Sequence, residues 1–386
     1  MMSSRPVILA LCDYYLPGFR AGGPMRALSG LVEHLGDDFD FRIVTRDNDL
    51  GGDPYTNVEA DVWQPVGKSQ VLYLSSQRRS FDAIRRAFDD TSPDVVYLNS
   101  FMSPLMTIRP LVLRRRGRVA DIPFIVAPRG ELARAALQIK RLKKSLWLST
   151  AKMASLYRDV VWHASSVTEA DDIVRVLSPA TDVTIAPELP TRLDIDDAPR
   201  HKTTGRLKLL FFSRVSPMKN LIGACEMLGP LEGQIDFTIC GPMEDASYWQ
   251  QCQAVIDTLP CNITIDVRNP VAPDKVASLL REHDVFFLPT QGENFGHAIF
   301  EALQSGCPVL ISDRTPWRGL TSHRAGWDIA LDDVDSFRRV LCECVGMDAP
   351  TFQSWSDGAR QFAGDWLSTS DAMEQNRKLF DSVIHG

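Results

Sequence analysis

Short apolar runs alternate with amphipathic stretches along the whole chain of 386 residues. In the first half, five of these runs end in polar, Gly or Pro residues, which is typical of buried strands in a parallel sheet. They lie at residues 5–12, 39–45, 71–74, 93–98 and 123–127. A helix from Pro24 to about Leu35 follows the first strand. The alternation predicts a parallel sheet with helices on both faces.

A polar segment without hydrophobic periodicity, residues 194–205, interrupts this pattern as a linker does. Beyond it, five more apolar runs predict strands. They lie at residues 207–212, 235–240, 263–267, 285–288 and 308–311. The sequence therefore predicts an α/β protein with two Rossmann-like, doubly wound domains. Since ligands bind such sheets at the carboxyl ends of the strands, we expect the domains to face each other across a ligand-binding cleft.

The domain limits follow from where the pattern stops and starts. The N-terminal domain is expected at residues 1–190, the linker at 191–206 and the C-terminal domain at 207–365. The last segment, residues 366–386, is predicted to form a helix.

Composition narrows the class of protein. With 44% hydrophobic and 24% charged residues, the chain has the balance of a globular protein. No apolar run approaches the roughly 20 residues of a membrane-spanning helix. Eight cysteines lack the spacing of a disulfide framework, which indicates a reduced, cytoplasmic protein. The net charge of −7 argues against nucleic acid as a partner.

One stretch departs from this acidic balance. Residues 109–158 carry a net charge of +11, so the remainder carries −18. Within this stretch, apolar residues recur at helical spacing, with basic residues largely on the other faces. They are Leu132, Ala135, Ile139, Leu142 and Leu146. Two interpretations stay open: a solvated helix face, or a surface that contacts anionic lipid headgroups or a lipid-pyrophosphate acceptor.

The most informative window is Leu288–Leu303. A predicted strand ends there, a loop with Gly292 and Gly296 follows, and a helix begins. Glu293 lies just before this helix and Glu301 about two turns inside it. Each alone could be a helix cap or a solvated residue. Together with the helix N-terminus, they suit a ligand with anionic and hydroxyl groups.

Two further sets lie at predicted strand ends. Arg214 and Lys219 follow the first strand of the second domain, and two cations suit a nucleotide diphosphate, in the ground state and as charge grows on the leaving group. The alternative is an ordinary basic surface loop. Gly22 and Gly23 follow the first strand of the chain, where glycines let a backbone approach a ligand. The dinucleotide fingerprint G-x-G-x-x-G is missing, which argues against a nicotinamide enzyme.

The window with Glu293 and Glu301 resembles the Glu-x7-Glu signature of family-4 glycosyltransferases, which have the GT-B architecture. The resemblance implies that Glu293 contacts the donor sugar and Glu301 the ribose. It also implies that Arg214 and Lys219 bind the diphosphate, that the Gly22–Gly23 loop lies near the diphosphate and the acceptor, and that the last helix packs back on the first domain. Catalysis is then assigned to Arg214, Lys219 and Glu293. The residues expected to bind the nucleotide-sugar are Gly22, Gly23, Arg214, Lys219, Glu293, Asn294, Phe295, Gly296, His297 and Glu301.

The chain departs from the family where many members carry a His after the fifth strand of the first domain. Here Arg129 stands in an Ala-Pro-Arg-Gly-Glu segment and cannot serve as a base. We expect Arg129 to bind a phosphate or a substrate carboxylate on the acceptor side, with Asn99 as a polar contact nearby. The family resemblance implies a retaining displacement in which the leaving phosphate takes the acceptor's proton, although the residues alone do not exclude inversion.

No metal requirement and no cofactor beyond the nucleotide-sugar are expected. Residues 47–49 and 194–196 match an Asp-x-Asp pattern but do not converge with Glu293, so we interpret them as solvated loop acids. His163 is interpreted as structural, and the seven histidines show no ligand spacing.

The expected function is transfer of a sugar from a UDP- or GDP-sugar to a carbohydrate acceptor in surface polysaccharide or glycan synthesis. A lipid-linked acceptor, and peripheral contact of the basic stretch 109–158 with the inner membrane face, stay open. The alternatives are a nucleotide-sugar epimerase of the same fold and a non-catalytic sugar-nucleotide-binding protein.

Overall fold

The computed structural model describes residues 5–138, 141–177, 182–195 and 200–385. The chain divides into two compact units. The first unit comprises Met1–Thr191 and Asp371–Gly386, and the second comprises Arg192–Ser370. Each unit is built around its own sheet.

The sheet of the first unit has eight strands in the order β3-β4-β2-β1-β5-β6-β7-β8. All neighbours are parallel except the edge pair β3 and β4. The strands are β1 (Val7–Leu11), β2 (Asp40–Arg46), β3 (Trp63–Val66), β4 (Ser69–Leu74), β5 (Val95–Leu98), β6 (Phe124–Val126), β7 (Val161–Ala164) and β8 (Val183–Ile185). The central strands β1, β5 and β6 are buried on both faces, which explains their continuous apolar sequences.

Helices cover this sheet. They are α1 (Gly23–Leu35), α2 (Phe81–Thr91), α3 (Arg109–Arg115), α4 (Arg134–Gln138), α5 (Arg141–Met153), α6 (Val167–Val176) and α13 (Ala372–His385). Local sequence fixes several starts: Ser80 caps α2 by accepting from the Ala83 amide, and Ser166 caps α6 in the same way. The last helix, α13, packs Phe380 against Phe39, Phe41 and Tyr97.

The sheet of the second unit has six parallel strands in the order β11-β10-β9-β12-β13-β14. They are β9 (Arg206–Phe212), β10 (Gln234–Cys240), β11 (Ile263–Arg268), β12 (Val285–Leu288), β13 (Val309–Ser312) and β14 (Gly326–Ile329). The helices are α7 (Leu221–Leu228), α8 (Ala246–Ile256), α9 (Pro273–Arg281), α10 (His297–Gln304), α11 (Val334–Gly346) and α12 (Ala349–Thr369). The strand order reverses between β9 and β12, as it does between β1 and β5 in the first unit. Ligands of doubly wound sheets bind at such reversal points.

The ten strands predicted from the sequence coincide with strands of these two sheets, and four more exist. Three of the additional strands, β3, β8 and β14, lie at sheet edges, and the fourth, β7, is next to an edge. Edge strands are half-exposed, so their sequences lack the continuous apolar run on which the prediction relied. β3 even contains Pro65, which a strand tolerates only at an edge or a bulge.

Two predicted helices differ in the structure. The final helix was expected from residue 366, but Trp366 lies inside α12, and α13 begins only at Ala372. The apolar residues from 132 to 146 were expected to share one helix face. Instead, Leu132 is buried before α4, whereas Leu146 is 68% exposed on α5. Ile139 and Asp196 lie outside the described residues, as do the side chains of Ala135 and Leu142.

None of the helices in the described part of the chain is both long and apolar enough to cross a bilayer.

Candidate functional site

The loops after β9 and β12 are bonded to each other at the carboxyl edge of the second sheet. The Gln291 amide and the Thr290 hydroxyl both donate to the carbonyl of Met218, at 2.8 and 3.1 Å. In return, the Asn220 side-chain amide donates to the carbonyl of Pro289 at 3.0 Å. These bonds make one platform from the two loops that carry the sequence-predicted residues of the second unit.

An ion pair between Lys219 and Glu293 joins the same loops. The Lys219 Nζ lies 2.5 Å from the Glu293 Oε1, and the two side chains are 16% and 12% exposed. Lys219 ends a single 3-10 turn that begins at Pro217, and the left-handed Asn220 (φ 59°) then starts α7. The structure therefore brings together two of the predicted residues from segments 74 positions apart.

Arg214 lies on the same loop as Lys219, and its side chain is exposed. Among the described residues, no hydrogen bond or salt bridge holds its guanidinium. Glu301 lies inside α10 and is only 3% exposed. These segments thus carry one partly buried ion pair, one exposed cation on the loop of Lys219 and one buried carboxylate in α10.

The loop before α10 turns sharply into the helix at Gly296, whose φ of 81° favours glycine. The first-turn amides of a helix have no acceptor within it, so they suit an anionic ligand. Two contacts fix Phe295. The Trp317 indole donates to its carbonyl at 2.6 Å, and the rings of Phe295 and Trp317 pack with those of Phe300 and Trp366. Asn294 precedes this anchor, and His297 begins the helix.

In the first unit, the loop after β1 leads to Gly22 and Gly23 at the start of α1. Gly22 has a φ of 74°, and a methyl group added at either glycine would meet nothing within 4 Å. The glycine at position 22 is therefore explained by its backbone conformation rather than by close packing.

Asp47 and Asp49, expected to be solvated, are buried at 6% and 7% exposure, so that interpretation was wrong. The Asp49 carboxylate accepts from the amides of Phe19 and Arg20, at 2.8 and 3.0 Å, and so holds the loop before Gly22. Asp47 pairs with Arg79 at 2.6 Å.

No group of three or more His, Cys, Asp or Glu side chains in the described ranges has a metal-site arrangement.

Arg129 has internal partners on all three guanidinium nitrogens. Its Nε donates to the Asn99 Oδ1 at 2.9 Å, one NH2 group to the Glu188 carboxylate at 3.2 Å and the other to the Tyr97 hydroxyl at 2.6 Å. The side chain is 3% exposed, and Asn99 is 2% exposed. Both side chains are thus already hydrogen-bonded within the first unit, and the expected contact of Arg129 and Asn99 with the acceptor stays a prediction.

Sequence reasoning missed several carboxylates at these strand ends. Glu131 accepts from the Ser100 hydroxyl and from the amides of Phe101 and Met102, and burial raises the pKa of its carboxyl group. The Asp49 carboxylate likewise accepts from backbone amides, and the Glu188 carboxylate accepts from the Arg129 guanidinium. The sequence shows these carboxylates but not their partners, so only their contacts in space reveal these roles. His163, interpreted as structural, is buried in β7 and fully hydrogen-bonded.

Two family models match the chain. "Glycosyl transferase 4-like domain" matches residues 22–188, and "Glycosyl transferases group 1" matches residues 194–342. Comparison with curated proteins gave no match.

The fold is similar to solved structures over nearly the whole chain. Sucrose-phosphate synthase from Thermosynechococcus elongatus is 15% identical, with a TM-score of 0.70, covering 98% of this chain and 100% of that one. HepE from Anabaena, solved in complex with UDP-glucose, is 14% identical, with a TM-score of 0.65 and coverage of 97% and 98%. WaaG, a glycosyltransferase involved in lipopolysaccharide biosynthesis, is 14% identical, with a TM-score of 0.60 and coverage of 98% and 100%.

The two family models fall on the two units in turn, and the similar structures share the pair of parallel-sheet domains. The chain is therefore a family-4-like glycosyltransferase of GT-B architecture.

Proposed function

We propose that the protein is a retaining glycosyltransferase that moves a hexose or related sugar from a UDP- or GDP-sugar to a carbohydrate acceptor. The observation that supports this proposal is the bonded pair of loops after β9 and β12, in which Lys219 contacts Glu293 and Arg214 lies on the same loop as Lys219. A sugar diphosphate needs cations for its phosphates and acceptors for its hydroxyls, and this platform offers both. The UDP-glucose complex of HepE supports the donor class.

In this proposal the second unit binds the donor. Arg214 and Lys219 bind the diphosphate, Glu293 accepts hydrogen bonds from sugar hydroxyls, and Glu301 binds the ribose. The amides from Asn294 to His297 face the sugar or the diphosphate. Lys219 donates to the Oε1 of Glu293, and among the described residues no hydrogen bond is formed to the other carboxylate oxygen, which can therefore accept from a sugar hydroxyl.

Retention rests on the resemblance to family 4. The bond between the anomeric carbon and the diphosphate oxygen breaks, and the acceptor oxygen bonds to the same face of that carbon. The acceptor's proton passes to an oxygen of the leaving phosphate, so no protein base is needed. Arg214 and Lys219 stabilise the charge that develops on the diphosphate. An NMR spectrum of the product with the inverted anomeric configuration would refute this mechanism.

The donor class is tested first by thermal shift with UDP, GDP and their sugars. A ligand at 100 times its Kd raises the stability of the native state by about 2.7 kcal/mol. We expect one nucleotide family to raise the Tm and the other not to. Donor turnover is then measured with and without acceptor oligosaccharides, since turnover without any acceptor would instead indicate an epimerase.

Site variants give the second test. E301Q should raise the donor KM by about 10- to 100-fold, because one hydrogen bond to a charged group is lost. E293Q should also lower kcat, since this carboxylate contacts the reacting sugar. R206M and D236N are the matched controls, because Arg206 and Asp236 form an exposed pair at the opposite edge of the same sheet. Site variants that keep wild-type kinetics would refute these roles.

We also propose that Arg214 and Lys219, rather than a divalent ion, neutralise the diphosphate. Activity should then survive prior treatment with EDTA, while R214M should lose donor affinity. Loss of activity in EDTA with full recovery on adding Mg²⁺ or Mn²⁺ would refute this.

The basic stretch is proposed to bring a cytoplasmic enzyme to an anionic membrane and a lipid-linked acceptor. Arg115, Arg116 and Arg118 are exposed at the end of α3, and Leu146 and Met153 are 68% and 82% exposed on α5. Basic residues at a membrane surface contribute about 1 kcal/mol each. The protein should sediment with anionic vesicles at low salt, and L146S/M153S should weaken this more than the control M373S. Equal sedimentation with and without vesicles would refute it.

A further inference from the structure

A continuous line of polar contacts crosses the carboxyl edge of the first sheet. It begins at Glu188, passes through Arg129 and Asn99, and ends at the carbonyl of Pro24, to which the Asn99 Nδ2 donates at 2.7 Å. Pro24 is the second residue of α1, directly after Gly22 and Gly23. The line therefore connects the segment after β8 with the glycine loop.

The chemistry of the two ends fixes the orientation of the Asn99 amide. The Arg129 Nε can only donate, so it requires the Asn99 oxygen, and the Pro24 carbonyl can only accept, so it requires the Asn99 nitrogen. Asn99 is only 2% exposed, so bulk solvent does not reach the amide to replace either partner. A rotation of this amide would break both bonds at once.

Arg129 is itself held by a second branch. Its guanidinium donates to the Tyr97 hydroxyl, which donates to the His163 Nδ1 at 2.7 Å. The His163 Nε2 then donates to the carbonyl of Ala186 at 2.8 Å. All three nitrogens of the planar Arg129 guanidinium thus donate a hydrogen bond. The single ammonium group of a lysine cannot reproduce this arrangement.

The backbone at Arg129 is held in a conformation that few side chains adopt. Arg129 has a φ of 53° and Gly130 a φ of 79°. The Glu169 carboxylate fixes this turn by accepting from the Gly130 amide at 2.6 Å and from the Ser165 amide and hydroxyl. Left-handed backbone at a bulky residue persists only where its surroundings determine it, and here they do.

We propose that Arg129 and Asn99 are positioning residues of glycosyl transfer, which fix the Gly22–Gly23 loop rather than contact the acceptor. This inference rests on the proposed function and on the family resemblance, which implies that this loop lies near the diphosphate and the acceptor. A methyl group added at Gly22 or Gly23 would meet nothing within 4 Å, so no close packing surrounds these two positions. The Asn99 bond to Pro24 restrains the chain directly after them, as Asp49 restrains Phe19 and Arg20 before them. A loop fixed before binding has less freedom to lose in the transition state.

N99D isolates this restraint. A carboxylate keeps the bond from Arg129 and strengthens it, but it cannot donate to the Pro24 carbonyl. We expect hydrogen exchange of the amides in residues 18–26 of the free protein to be about five- to tenfold faster in N99D, the change for one lost hydrogen bond. N57D is the control, because Asn57 is exposed in the same unit.

The second readout is kinetic. N99D should lower kcat about 10-fold or more, while the donor KM changes less than threefold, because the charged side chains proposed to bind the donor, Arg214, Lys219, Glu293 and Glu301, are unchanged. R129Q/E188Q should behave alike. It removes the Arg129 cation and the Glu188 carboxylate together, so the line of polar contacts is lost without a change in the net charge of this buried cluster.

Wild-type exchange rates for residues 18–26 in N99D would overturn the restraint. Faster exchange with an unchanged kcat, or a change in acceptor KM alone, would overturn its role in the reaction. Hydrogen exchange is measured without substrate, so it tests the line of polar contacts even if the wild-type protein transfers no sugar. In that case the proposed function fails first, and the two failures are distinguishable.

Discussion

At the candidate site, Arg214, Lys219, Glu293 and Glu301 carry no net charge between them. Lys219 and Glu293 neutralise each other at 2.5 Å, so a diphosphate must compete with a carboxylate for this ammonium group. The exposed Arg214 has no such competitor among the described residues. We therefore infer that Arg214 meets the incoming phosphates first and that the Lys219–Glu293 pair rearranges afterwards.

His163 gives a prediction on pH. Burial, with the nearby Arg129 cation, lowers the pKa of His163 from its ordinary 6.5 to about 3. Between these values the unfolded chain binds a proton that the folded chain does not, so stability should fall as the pH falls below 6.5. The slope contributed by this residue approaches about 1.4 kcal/mol per pH unit.

Urea unfolding of H163Q at pH 7, 6, 5 and 4 measures this contribution. We expect a flatter pH dependence than in wild type, whereas H385Q, which changes an exposed histidine of the same unit, should leave the slope unchanged. Equal slopes for H163Q and wild type would show that His163 is not held neutral.

The motif residues at this scale could be located from the sequence, because strand ends and glycine loops mark where ligands bind. The side chains and amides that these residues contact could not be located from the sequence. Nothing in the segment around Arg129 reveals that Glu188, 59 positions away, lies beside it, and nothing around Asp49 reveals the loop amides that it holds. Such contacts depend on which strands become neighbours, and hydrophobic periodicity does not record that order.

At the scale of elements, the loop after β10 reaches the site through a close backbone approach. A methyl group added at Gly241 would lie 2.0 Å from the carbonyl oxygen of Ser213, directly before Arg214. G241A should therefore displace this loop, destabilise the second unit by about 1–3 kcal/mol and weaken donor binding.

G364A is the matched control within the same unit. Gly364 lies inside α12 with open space around it, so alanine should stabilise the helix by up to about 1 kcal/mol. Calorimetry of both variants, with donor titrations, checks the contrast. An unchanged Tm and donor affinity in G241A would contradict this prediction, because the loop would then accommodate the methyl group without loss of stability.

The elements themselves were largely predictable from the sequence, with the sheet edges as the main exception. Central strands have continuous apolar runs because both their faces are covered, whereas β8 and β14 are half-exposed and resemble loops in sequence. The break between α12 and α13 was also missed. Amphipathic patterns lie on both sides of Ser370, so no change in the hydrophobic pattern marks where one helix ends and the next begins.

At the scale of the whole molecule, the chain leaves the first unit after Thr191 and returns to it at Asp371. The return is fixed by α13, where Phe380 packs on Phe39 and the Asn376 amide donates to the carbonyl of Pro187. Completion of the first unit therefore depends on the last described residues.

F380A measures this dependence. Phe380 is fully buried, so its removal should destabilise the first unit by about 3–5 kcal/mol. M373A, on the same helix but 43% exposed, should change the stability by less than about 0.5 kcal/mol. Urea titrations of both variants, monitored by near-UV circular dichroism, provide the comparison. Similar losses for both would contradict the role given to Phe380.

Because the first unit is built from two segments with the second unit between them, the two units receive their last residues at different times during synthesis. Domains generally fold as units, the N-terminal one first, while the chain is being synthesised. Here the first-made segment still lacks α13 when Ser370 is added, whereas the second unit already has all its residues. We expect nascent chains stalled shortly after the second unit has emerged to resist protease in that unit while their N-terminal portion is still cleaved. Extension of the nascent chain until α13 has emerged from the ribosome would then protect both.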